Sequence, residues 1–516
     1  MYRHDHRQLE FEDFVLPFGG RLRSDNRWVK LAKFIPWGEF ESAYCKSFKG
    51  SGLGPPAKSV RIALGALIIK ERLGTSDEET VEQIRENPYL QFFLGFKEYQ
   101  DEPPFDPSLF VYFRRRFGKK KLKEINEAIV RKAFVEEKKA SKSNPKGNDK
   151  DDGPGGEGIS NRGKLLVDAT CTPADITFPT DLKLLNKARE KSEEIIDILH
   201  APHKGKSKKP RTYRKVACRA YLNAAKAKRL SYGKRRKAIR KQIGFLKRNL
   251  KIIETLSLKT PLSVLSWRKY KNLLVIHEVY RQQQWLYVHR ETRIDDRIVS
   301  VSQPHVRPIK RGKAGAATEF GAKISVSLVD GYSFLDRISW DAFNEAGDLI
   351  YQIKAFHQRF GHYPESVHAD KIYRNSENRK FCKKHGIRLS GPPLGRPPVD
   401  ELKKQEIQHQ VRRDELSRIP IEGKFGQGKR RFSLSRIMTK LAVTSETAIA
   451  VVFLVMNLEK WLKGHFFVLF YGIKEAFGAC KGSLEPVSMR FIVVFAALKY
   501  GSQCFYRDEN LVLTLI

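Results

Sequence analysis

Apolar and polar positions keep two rhythms along this chain, helical spacing first and short strand-like bursts later. From Ala57 to Gly74, apolar residues stand at Val60, Ile62, Ala63, Leu64, Leu67 and Ile68, the broad stripe of a buried helix. Gly74 is placed to stop that helix. Ser76, with Glu79 three residues on, then opens a second helix in a capping-box pattern. Two helices joined by a short glycine turn have the outline of a helix-turn-helix, and two plainly packed helices read the same way. Phe110 to Glu137 continues the helical spacing, so residues 1–140 are predicted to be mostly helical.

The second rhythm starts at Lys164. Lys164 to Thr170 reads as a short buried strand ending in Asp168, and helical spacing follows from Leu182 to His200. Strand-like alternation is expected from Ile298, through Val299 and Val301, into Lys323–Val329. Asp330, before Gly331, reads as a hairpin turn. A helix is expected over Ala346–Phe360, then a strand, Ser366 to Asp370, that again ends in an aspartate. A helix over 375–385, a strand from Ile387 to Ser390 and a helical run through 400–418 lead to Glu422, and 441–458 forms a buried helix. This order of elements predicts an α/β fold with a long insertion after the first strand. Ser141 to Gly163, with Gly153-Pro154-Gly155-Gly156, reads as a flexible linker.

Charge changes the picture. The 516 residues carry 97 Lys and Arg against 58 Asp and Glu, a net +39, which favours a polyanionic partner such as nucleic acid. Ala201 to Lys251 holds twenty Lys or Arg and no acid, with Tyr213, Tyr221 and Tyr232 interleaved. Such a run repels itself unless an anion neutralises it. Lys234, Arg235, Arg236 and Lys237 are its densest block, and Arg114–Arg116 and Lys119–Lys121 are further candidates for DNA contact or for a solvated face. The six cysteines are scattered without zinc spacing, which fits a reducing cytosol. The N-terminus lacks an apolar signal core, and the greasy runs 448–456, 466–471 and 491–498 are each shorter than the ~20 residues of a membrane span. No membrane role is expected.

Three acids then stand out. Aspartates at the ends of two strands and a glutamate among cations, in Arg418-Ile-Pro-Ile-Glu422-Gly-Lys-Phe-Gly-Gln-Gly-Lys429-Arg430, could converge on one pocket. Oxygen ligands suit Mg²⁺ or Mn²⁺, and two such ions about 3.5–4 Å apart can drive phosphodiester displacement. His368 is a candidate hydrogen-bond partner to that pocket or a core histidine. Asp336 and Asp341 are substitutes only if the strands are shifted.

These residues resemble the DDE transposases of bacterial insertion sequences, the type with a Tyr-x2-Arg-x3-Glu-x6-Lys signature. Arg418-x3-Glu422-x6-Lys429 matches that spacing, and Glu415 stands at the Tyr position, so that role is not carried over. Leu166-Val-Asp168-Ala-Thr170 is similar to the family's first aspartate motif, and His368-Ala-Asp370-Lys-Ile-Tyr373 to its second. Asn87-Pro-Tyr-Leu-Gln-Phe-Phe-Leu-Gly and Phe105-Asp-Pro-Ser are similar to its N-terminal domain. The resemblance implies an RNase H-like core, a mixed five-stranded sheet flanked by helices and split by an insertion. It implies two Mg²⁺ or Mn²⁺ ions held by Asp168, Asp370 and Glu422, with Arg418, Lys429 and Arg430 on DNA. Pro420 suits a first helical turn, which would leave Arg418 just before the helix. Expected domains are an N-terminal helical DNA-binding domain (1–140), the linker (141–163), the catalytic core (164–181 with 298–460), a basic insertion (182–297) and a tail of unassigned role (461–516). The expected activity is cleavage at element ends and strand transfer into target DNA, by a homodimer on duplexes with terminal inverted repeats, in the bacterial cytoplasm at the nucleoid. The alternatives are a nuclease of the same fold that cuts without joining, and a catalytically dead DNA-binding descendant.

Overall fold

Helix ends in the N-terminal part are set by local side-chain chemistry. The computed structural model describes residues 14–16, 20–48, 56–142, 161–310, 318–393, 395, 398 and 400–479. Most of the expected linker, all of the chain beyond Ala479, and the apolar run 491–498 lie outside the described residues. The first helices are α1 (Arg27–Phe34), α2 (Trp37–Cys45), α3 (Val60–Leu73), α4 (Asp77–Glu86), α5 (Pro88–Leu94) and α6 (Leu109–Lys142). Ser59 caps α3 and Gly74 ends it in the left-handed region, at φ 72°. Ser76 accepts the Glu79 amide to open α4. Asn87 caps α5, with Pro88 in its first turn. Gly118, at φ 59° and ψ 172°, breaks α6 in two.

Next come β1 (Lys164–Pro173) and the helices α7 (Asp181–His200), α8 (Arg214–Ala225), α9 (Tyr232–Ser257) and α10 (Trp267–His289). The four helices form the insertion. Its own apolar core joins Leu185, Ile195 and Leu199 of α7 to Leu246 and Ile253 of α9 and to Ile276 and Val279 of α10. Ile298 and Val301 bury into that core without forming a strand. The expected alternation there comes from burial of a connecting segment, and the first strand after the insertion is β2 (Arg307–Lys310).

The sheet is completed by β3 (Thr318–Val329), β4 (Tyr332–Ser339), β5 (Ser366–His368) and β6 (Arg388–Leu389), with α11 (Leu349–Phe360) and α12 (Ser376–Lys384) between strands. It has six strands in the order β2-β3-β1-β5-β6, with β4 also on β3. The sixth strand corrects the five implied by resemblance. β2, β3, β1 and β4 pair antiparallel, whereas β1-β5 and β5-β6 are parallel. Asp330 (φ 48°) and Gly331 (φ 80°) make the β3–β4 hairpin turn, as expected. Gly321 is required by contact, since a Cβ there would lie 2.1 Å from the Thr172 carbonyl oxygen across the sheet.

Two long helices finish the described chain, α13 (Glu401–Arg431) and α14 (Ala442–Ala479). Pro420 lies inside α13, correcting the expectation that Arg418 precedes the helix. The Asn457 side chain of α14 binds both Asn126 of α6 and the Ser333 backbone of β4, tying three elements through one buried amide. The run 448–456 belongs to a longer stretch, Ala442–Gly464, that is long and apolar enough to cross a membrane, and most of it is buried. The chain divides into two compact units, Met1–Lys460 and Trp461–Ile516. The described residues of the second unit, 461–479, are helical.

Candidate active site

Sheet register sets the first two carboxylates. Leu166 of β1 is level with His368 of β5 in a parallel pair. Asp168 and Asp370 each lie two residues further on, so the register carries them to the same level along neighbouring chain segments. Asp168 is mid-strand, because β1 runs on to Pro173 against β3, which corrects the expected strand end. Asp370 does lie just past its short strand, where it caps a helical turn by accepting the Lys371 amide at 2.7 Å.

The third acid comes on α13, and that helix is anchored by Asp414. Its buried carboxylate accepts hydrogen bonds from Arg388 at 2.9 Å and from the Gly391 amide at 3.1 Å. Asp414, Arg418 and Glu422 recur every four residues, so one helical face carries all three toward the β1–β5 edge. His368 sits beneath, buried, with Nε2 3.1 Å from the Ser366 hydroxyl and Nδ1 3.7 Å from Asp414. Burial holds its pKa below the usual histidine value, so it serves the core as a neutral ring.

Arg418 stands among the acids. Its guanidinium is 3.6 Å from Asp370 and 3.8 Å from Glu422 and is only 20% exposed. It also acts on Asp168, whose pKa is pushed up to about 6. Burial is the main cause of that rise, Glu345 and Glu422 add to it, and the Ala169 amide and Arg418 oppose it. Asp370 and Glu422 are more than half exposed, at 55% and 62%. Lys429 donates to the Thr170 hydroxyl at 3.0 Å, so the end of α13 reaches β1 two residues past Asp168.

No group of three His, Cys, Asp or Glu side chains close enough to hold a metal is present among the described residues. The donor chemistry nonetheless suits a hard divalent cation: three carboxylates, two of them open to solvent, around one arginine. Glu345, in the turn before α11, is a fourth acid acting on Asp168, and it pairs with Lys323 at 2.7 Å. Its spacing in the sequence gave no sign of this. Tyr373 is buried behind these acids, and its hydroxyl has no hydrogen-bond partner.

The other expected contacts divide. Lys234, Arg235 and Lys237 are exposed on α9, whereas Arg236 lies over the Tyr287 ring at 4.1 Å. Arg430 is exposed near the end of α13. Arg114 is buried in a pair with Asp77 and is not available to DNA. Asp336 is fully buried against Gln352 and Arg359, and Asp341 is 73% exposed beside Arg307, so neither substitutes for a site acid.

Comparison with known proteins fits this layout. The family described as "Transposase DDE domain" matches residues 367–459, which hold Asp370 and Glu422. The family described as "Transposase domain (DUF772)" matches residues 17–116. "Uncharacterized protein ORF8 in nfe locus" of Rhizobium meliloti is 32% identical over 196 residues, 38% of this chain and 82% of that protein. No solved structure matches.

Proposed function

The chain belongs to the DDE transposases, and on that premise we propose that it cleaves DNA at the ends of an insertion element and joins those ends to target DNA, using an RNase H-like core. The observation that carries this reading is the convergence of Asp168, Asp370 and Glu422 from β1, β5 and α13 around Arg418. Three acids and one cation, from elements far apart in sequence, need no such meeting for stability. Asp168 is held partly desolvated at a cost to folding.

In this reading Asp168, Asp370 and Glu422 hold two Mg²⁺ or Mn²⁺ ions. Bound ions would supply charge neutralisation at the scissile phosphate and a more acidic water or 3′-hydroxyl. Arg418 holds the carboxylates together in the DNA-free protein and turns to a phosphate when DNA arrives, since a guanidinium pairs with either anion. Lys429, steadied by Thr170, faces the strand near the cut. Arg430 and the exposed cations of α9 grip the backbone to either side. The N-terminal helices and the insertion bind duplex, and synapsis of two ends calls for a homodimer acting at the nucleoid.

The test uses duplex DNA from either side of the coding region, with Mg²⁺. The native chain should nick at an inverted repeat and join 3′-hydroxyl ends to a second duplex. Asp370→Asn should lose both reactions while DNA affinity stays within about threefold, because removing one carboxylate leaves the phosphate-binding cations in place. Cutting without joining would replace the proposal by a simple nuclease, and unchanged cutting by Asp370→Asn would refute the site.

A further inference from the structure

We infer that the insertion carries a built phosphate-binding cavity, separate from the carboxylate site. A cavity of about 380 Å³ opens between the end of α7, the segment after it and the C-terminal half of α9. Lys208, Arg248, Lys251 and Lys259 line it together with His200 and His203, and the lining contains no carboxylate. Arg248, Lys251 and Lys259 fall three to eight residues apart, so they share one face of α9 and its exit. Two helices end at this wall, and each C-terminus contributes a partial charge of about −0.5. Together these offset one of the four cations and leave the cavity strongly positive.

The walls are fixed before any ligand arrives. Asp197 of α7 takes Lys209 at 2.5 Å and Arg214 at 2.7 Å, which pins the segment bearing Lys208. His203 is held to the Thr260 hydroxyl at 2.7 Å, and Thr260 in turn donates to the Leu199 carbonyl. Arg248 stacks on the Tyr213 ring at 4.6 Å, which narrows where its guanidinium can point. His200 is the second, independent sign. Its ring is 7% exposed and its Nε2 is buried without a hydrogen-bond partner. A buried polar nitrogen left unpaired is costly. A phosphate oxygen would supply the missing partner while the four cations balance its charge.

The phosphate could come from the DNA backbone or from a free nucleotide or inorganic phosphate, and one experiment separates the sources. The full chain is titrated with inorganic phosphate by calorimetry and with a fluorescein-labelled duplex by anisotropy. Lys208→Glu/Lys251→Glu is compared with Lys226→Glu/Lys228→Glu, which makes the same charge change in the same basic run outside the cavity. The cavity pair should weaken binding about tenfold more than the control pair, since local contacts add to the general field. His200→Gln should weaken it too, with melting curves checking the fold, and the charge reversals still decide if that variant unfolds. Loss on both probes assigns a backbone phosphate, and loss on inorganic phosphate alone assigns a free one. Equal effects of the two charge pairs on both probes overturn the proposal. The duplex arm rests on the transposase reading. If the native chain binds no duplex, that reading fails and the phosphate arm still judges the cavity.

Discussion

Arg418 and Asp168 set the terms at the residue scale. Asp168 is a partly desolvated carboxylate among acids, so Asp168→Asn should raise the melting temperature by about 2 °C while removing cleavage, a trade typical of functional charge. A fall in both would mark Asp168 as structural. Arg418→Ala removes the cation between Asp370 and Glu422 and should tighten Mn²⁺ binding in the absence of DNA, read by calorimetry, while lowering cleavage about tenfold or more. Away from the site, His305 packs edge-on to Trp340 at 4.4 Å, and burial lowers its pKa to about 4, with Lys271 and Arg307 adding. The unfolded histidine titrates near 6.5, so between about pH 6.5 and 4 the unfolded chain binds the extra proton and stability falls as pH falls. His305→Phe should flatten that part of the loss, measured as the shift in melting temperature between pH 6.5 and 4.5. A parallel shift in the two proteins would sink the assignment.

Elements explain what the sequence could and could not tell. The stop at Gly74 and the cap at Ser76 were legible, because each acts on its own neighbours, whereas the caps at Ser59 and Asn87 were not read. The β1, β5 and α13 acids were legible as separate strand and helix signals. Their joining was expected from their shared chemistry and from the family resemblance, and the register between β1 and β5 that sets it is encoded by no local pattern. The reading of Pro420 as a helix start failed for a related reason. Helix α13 runs through it because Asp414 anchors one side and the packing of Ile421 and Phe425 the other, which outweighs a backbone hydrogen bond lost to solvent. Pro420→Ala should therefore stabilise the chain, by about 1–3 kcal/mol in chemical denaturation. Glu459 of α14 forms a buried pair with Arg72 of α3 at 2.6 Å and also takes the half-exposed Arg431 of α13 at 3.2 Å. Glu459→Gln should cost about 2–4 kcal/mol, since it leaves Arg72 buried without its counter-ion.

For the whole molecule, the net charge of +39 points to a polyanion, in keeping with the transposase family, but the basic run is more than a coat. Ile243, Leu246 and Leu250 of α9 sit in the insertion core, so deleting 201–251 would unfold that part. Lys234→Glu/Arg235→Glu/Lys237→Glu is the sounder test. It should reduce the slope of log affinity against log salt by about 2–3, with melting unchanged, because each cation lost releases about one counterion fewer. An unchanged slope would make this block a solvated face. Strand β1 pairs with β3 across the whole insertion. A chain leaving the ribosome completes α7–α10, with their own core, before β3 exists to receive β1, and Glu422 emerges later still. During synthesis, the surface suited to hold a polyanion is finished well before the acids can meet, and a truncated nascent chain would grip without the means to cut.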